Sequence, residues 1–168
     1  MKSNIAGERR TLMKNKVART GLAAIFAVAL MAALAVPAHA WNPPSCSLAG
    51  AAGKWSFTDQ GTVVGIGPRT AVGVLAMDGA GNLTNGVATS SLNGSIASET
   101  FSGTYTVSSD CTGTISVTIY SGSTELFAVT LFTAFDSDMR HMRGIFTSAV
   151  TPGGTALATV VNLDAKKQ

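Results

Sequence analysis

From residue 53 onward, turn residues divide the chain into short runs in which apolar and hydroxylated side chains alternate. Phe101, Gly103, Tyr105 and Val107 fall on one face of such a run, and Thr100, Ser102, Thr104 and Thr106 on the other. Ile115, Val117 and Ile119 oppose Thr114, Ser116 and Thr118 in the next. A period of two belongs to a half-buried β-strand. The pattern predicts eight strands: 55–59, 70–78, 83–92, 95–107, 111–120, 125–135, 139–150 and 155–163. The connections are short and rich in turn formers: Asp78 to Asn82 (DGAGN), Asn93-Gly94, Ser121 to Ser123, Asp136 to Asp138 and Thr151 to Gly154. Strands joined by tight turns are antiparallel. A sheet this rich in Thr and Val must also dispose of its edges, and closure does so. The expected fold is therefore all-β: a single antiparallel up-and-down barrel of about eight strands, with no helix after the leader. A two-sheet sandwich is the runner-up, and residues 61–69 are the one stretch long enough to suggest its crossover.

The first forty residues read differently. Lys2, Arg9, Arg10, Lys14, Lys16 and Arg19 precede an apolar run from Gly21 to Val36, and Ala38-His39-Ala40 closes it. A basic n-region, a short h-region and a small-x-small site make a secretory signal peptide, with a cut expected after Ala40. The apolar run is short for a full membrane span. The Arg9-Arg10 pair resembles a twin-arginine signal, so the export route stays open between that and the general secretory pathway. The expected organisation is a signal peptide over 1–40, a lead over 41–52, the barrel over 53–164 and a polar tail over 165–168. The protein is expected to be secreted or periplasmic in a bacterium, with no stable membrane insertion once the signal is removed.

Removing the leader reverses the charge. The whole chain carries a net +3. Residues 41–168 keep six basic against eight acidic residues, a net of −2. The basic character belongs to the leader, and nucleic-acid binding is not indicated. Only two cysteines occur, Cys46 and Cys111. In an exported chain such a pair is expected to form a disulfide. The long enclosed loop would put its stabilisation at about 3–5 kcal/mol.

Three stretches carry a resemblance: GKWSFTDQGTVV (from Gly53), GVLAMDGAGNLT (from Gly73) and FSGTYTVSSDCTGTISV (from Phe101). They are similar to a group of small secreted bacterial proteins of unknown function. That group is associated with calycin-like barrels, and in particular with the barrel resembling allene oxide cyclase. The resemblance covers most of the chain after the leader and implies a fold without an activity. Gly53-Lys54-Trp55 also resembles the G-x-W of the first lipocalin strand, although no C-terminal lipocalin helix follows. That likeness would place Trp55 at the barrel base, beneath Arg140 or Arg143.

Chemistry-bearing residues are sparse. His141 is the only histidine after the leader, with no nucleophile elbow near it. The pattern offers no metal-ligand spacing and no cofactor motif, so no cofactor is expected, and the chain reads more as a binder than as an enzyme, with the question of an activity left open. Trp55, Phe57, Phe101, Tyr105, Phe127 and Phe146 are the expected inward aromatics, and Arg143 is a candidate to meet an anionic head group. An eight-stranded barrel is just wide enough to be packed solid or to hold one small ligand. The leading expectation is an exported barrel for a small apolar or amphipathic ligand. The alternatives are a filled structural or surface-interaction barrel and, on fold analogy, an allene oxide cyclase-like isomerase. Oligomeric state is not legible.

Overall fold

The alternation is realised as eight long strands hydrogen-bonded in sequence order. The structure, a computed structural model, describes residues 46–168. The expected signal peptide and the start of the lead lie outside the described residues. A four-residue helix, α1 (Leu48–Ala51), precedes β1 (Gly53–Val63), β2 (Gly67–Met77), β3 (Asn82–Leu92), β4 (Ser95–Val107), β5 (Thr112–Ser121), β6 (Thr124–Phe135), β7 (His141–Val150) and β8 (Thr159–Lys167). Every neighbouring pair is antiparallel, and β1 pairs with β8 to close the barrel. The sandwich is thereby excluded. Residues 61–69 form no crossover, because β1 and β2 extend into them and leave only Val64 to Ile66 as the turn. At Asn93-Gly94 both residues have positive φ, 50° and 86°, as a type I′ hairpin turn requires.

Three departures from the sequence reading concern the chain ends. The lead contains α1, capped by the Ser47 hydroxyl, which accepts from the Gly50 N–H at 3.1 Å. The last strand begins at Thr159, four residues later than expected, because Thr151 to Ala158 leave the ladder apart from one bridge between Val150 and Ala156. It also runs to Lys167, through the residues expected as a polar tail. Those residues pair with β1 up to Trp55, and Ala165 is buried against the core.

Inward positions are apolar along most of the barrel, and outward positions are largely Thr, Ser and charged residues with scattered valines. The Phe57 and Phe101 rings meet edge to face at 5.6 Å. They lie against Gly73 and Gly86, where a Cβ would run into each ring. The ladder shifts register beside Gly86, and Asn85 takes a φ of 53° there. Such a bulge bends the strand and helps a small barrel close.

The two ends of the barrel differ. The β2–β3, β4–β5 and β6–β7 turns surround one end, together with α1 and the last residues of β8. Here Cys46 and Cys111 form a disulfide. Trp55 Nε1 donates to the Ala51 carbonyl at 2.9 Å, Lys167 Nζ donates to the Gly50 carbonyl at 2.8 Å, and the Tyr105 hydroxyl sits between the carbonyls of Leu48 and Asp78. Burial, first, and the Asp78 charge, second, raise the Tyr105 phenol above its ordinary value and keep it a donor. This end is plugged. The other end, bounded by the β1–β2, β3–β4, β5–β6 and β7–β8 connections, is the mouth.

Candidate functional site

The period of two carries three charged residues inward near the mouth. Asp59 shares its face of β1 with Trp55 and Phe57; Arg69 shares its face of β2 with Ala71 and Leu75; Glu99 shares its face of β4 with Phe101 and Tyr105. All three side chains are only 3–4% exposed. Strands β1, β2 and β4 thus aim two carboxylates and one guanidinium at a common point inside the barrel.

The geometry is asymmetric. Arg69 Nη1 and Nη2 each donate to a Glu99 oxygen at 3.0 Å, a bidentate pairing. Ser90 on β3 donates its hydroxyl to Glu99 Oε1 at 2.7 Å. Asp59 receives one contact, from Arg69 Nη2 to its Oδ2 at 3.2 Å. Its Oδ1 is buried without a partner, and so is Arg69 Nε. The guanidinium also lies over the Phe127 ring at 5.5 Å. Burial raises the Asp59 carboxyl above its ordinary value, and the attraction of Arg69 does not offset it. Burial also works against the Arg69 charge, but the Glu99 hydrogen bonds and both neighbouring carboxylates prevail and hold it above its ordinary value.

Two cavities flank this cluster. The inner one has about 40 Å³ and is lined by Asp59, Arg69 and Glu99 among Phe57, Phe101 and other apolar side chains. That is room for roughly three waters. The mouth cavity has about 180 Å³ and is walled by Ile66, Leu92, Leu126, Phe127 and Leu157, with Arg69 as its one charged lining residue among the described residues. Arg69, Val129 and Phe146 border both cavities. Below the inner cavity the barrel is filled with side chains.

The residues singled out from sequence separate into three groups. Phe57 and Phe101 line the inner cavity, Phe127 the mouth cavity, and Phe146 both. Trp55 and Tyr105 line neither; they hold α1 in the plugged end. Arg143 points outward with a side chain 70% exposed, 4.0 Å from Asp164, because Met142 and Phe146 occupy the inward phase of β7. The cation near Trp55 is neither Arg140 nor Arg143 but Lys167, with Nζ 6.0 Å from the ring centre. His141 bridges Asp136 at 3.2 Å and Asp164 at 2.8 Å and lines neither cavity. Among the described residues no cluster of His, Cys, Asp and Glu is arranged to hold a metal, and no helix is long and apolar enough to cross a membrane. The sequence reading missed Asp59, Arg69 and Glu99. Their strand phase was the available signal, since each sits two residues from an inward apolar neighbour.

No family model and no curated protein matches the chain. Among solved structures it is similar to EF1p2_mFAP2b bound to DFHBI, with a TM-score of 0.51 and 15% identity over 71% of this chain and 94% of that one. A redesigned β-barrel, mFAP1, bound to DFHBI, matches with a TM-score of 0.47 and 17% identity over 73% of this chain and 98% of that one. Rv2717c from M. tuberculosis matches with a TM-score of 0.39 and 15% identity over 72% of this chain and 94% of that one. The first likeness concerns the fold alone, and the fold read from the strand pattern, a closed antiparallel barrel of eight strands, is the one observed.

Proposed function

We propose that this chain is an exported barrel that binds one small apolar or amphipathic molecule at its mouth. The observation that carries the reading is the mouth cavity: about 180 Å³, lined mainly by apolar side chains with Thr151, Thr159 and the guanidinium of Arg69. An apolar body would lie against Leu126, Phe127 and Leu157, and a polar end would meet the buried cluster. The buried unpartnered Asp59 Oδ1 and Arg69 Nε support a polar end, because such atoms normally find a partner. A barrel of similar fold, EF1p2_mFAP2b, is bound to DFHBI, which agrees with ligand binding on this scaffold. The basic n-region, h-region and Ala38-His39-Ala40 site support export with cleavage after Ala40, and the disulfide is compatible with an oxidising compartment.

Native mass spectrometry of the mature protein, purified from its own host's periplasm or medium, tests this reading. A reproducible small-molecule adduct is expected, and Leu157→Trp, which fills the mouth, is expected to lose it. A bare polypeptide, unchanged after incubation with lipid extract, would remove the reading. The small inner cavity favours a second reading, a filled structural or surface-interaction barrel, and that result would leave it standing.

A further inference from the structure

Resting on the reading that the mouth takes a small amphipathic molecule, we infer that the site selects the ammonium end of an aliphatic amine, which it takes at Asp59. The argument is one of charge and of unused atoms. One guanidinium faces two carboxylates, and no other charged group lines either cavity. Glu99 already answers the guanidinium through both of its oxygens. Asp59 is the carboxyl left over, held by a single 3.2 Å contact, with Oδ1 buried and unpartnered beside a cavity that accepts a group the size of an ammonium. Arg69 Nε is the competing signal, because an unpaired N–H would welcome a carboxylate oxygen. Charge decides between them. A carboxylate-ended ligand would set a further acid beside Asp59 against a guanidinium that Glu99 already answers, whereas an ammonium pairs with the Asp59 carboxylate.

The proton balance follows. Burial raises the Asp59 carboxyl above its ordinary value in the empty site. A protonated amine entering from solution keeps its three N–H bonds, and Asp59 gives up its proton to solvent as the ammonium–carboxylate pair forms. Wherever the empty site holds that proton, one proton is released per amine bound and affinity rises with pH by up to tenfold per unit. The groups facing Asp59 are Arg69 and the Ala71 backbone amide from β2 and Glu99 from β4, and the uncharged Ser90 on β3 answers Glu99. Strands β6, β7 and β8 present Val129, Phe146 and Leu163 there, with no charge.

The test is calorimetric titration of the oxidised mature protein with hexylamine, hexanol and hexanoate between pH 5 and pH 8, in buffers of different ionisation enthalpy. Hexylamine is expected to bind at least tenfold more tightly than hexanoate, to release a proton, and to tighten as pH rises. Asp59→Asn is expected to abolish the proton release and the amine's advantage over the alcohol. Hexanoate binding as tightly as hexylamine, or proton release that survives in Asp59→Asn, would overturn the inference while leaving a mouth ligand in place. Absence of binding by all three, with an intact adduct from the host, would overturn the amine assignment alone. Absence of both would remove the mouth reading with it.

Discussion

At the scale of single residues, stability against pH is set by acids whose environments pull in opposite directions. Asp59 is raised by burial, so its favourable contribution is present below the ordinary aspartate range, about pH 4, and is lost as pH rises through the folded-state value. Asp78 and Asp110 are lowered, chiefly by hydrogen bonds from Asn82 and Thr112. Their contributions are present above about pH 4 and lost as pH falls through their folded-state values. Asp59→Asn should therefore gain stability relative to the parent as pH rises above about 4, read by urea denaturation at each pH. A difference that stays constant would contradict the assignment. Arg69→Met should be far more damaging, about 3–5 kcal/mol, because it leaves two carboxyls buried without their cation. The cluster was readable only in part. Asp59 and Glu99 stand in the inward phase beside Phe57 and Phe101, but an acid in that phase contradicts its own hydration preference. Only knowing that Arg69 reaches both resolves the conflict, and that is a matter of barrel geometry.

At the scale of elements, α1 is a helix that cannot exist alone. One turn is far below the length at which a helix is stable in water. It is held by the disulfide and by hydrogen bonds from Trp55, Tyr105 and Lys167. Replacing Cys46 and Cys111 together by Ser should cost about 4 kcal/mol in the chain-entropy account and expose the Leu48–Ala51 amides to rapid hydrogen exchange. Protection that survives in the double variant would show that the side-chain hydrogen bonds alone hold the plug. Trp55→Phe should cost about 1 kcal/mol through the lost bond to the Ala51 carbonyl, read as a lowered denaturation midpoint. The strands themselves were legible because alternation and turn chemistry agree. The exceptions are instructive. The end of β8 shows inward Ala165 between Asp164 and Lys166, a signal too weak in apolar content to separate a strand from a tail. α1 has no period to read, since its reason for being helical is the barrel base beneath it.

At the scale of the whole molecule, the two ends of the barrel differ: one is plugged and densely packed, and the other holds a largely apolar mouth over a buried charged cluster. Filling the mouth with Leu157→Trp should leave stability within about 1 kcal/mol of the parent and abolish any host-derived adduct, because Leu157 is only half-buried at the edge of the core and faces the mouth cavity. A large loss of stability would show that the mouth wall cannot accept the larger ring. The seam between β1 and β8 has a kinetic consequence. Seven of the eight strand pairings join neighbours in sequence, but the eighth joins Trp55 to Lys167. The bridge from Cys46 to Cys111 lets the path between those partners bypass most of the first four strands, shortening it to roughly three-fifths. Loop-closure entropy grows with the logarithm of that length, so an oxidised chain should close its barrel about twofold faster than a reduced one. The disulfide is then also a splint for the last step of folding, measurable as the ratio of refolding rates with and without reductant.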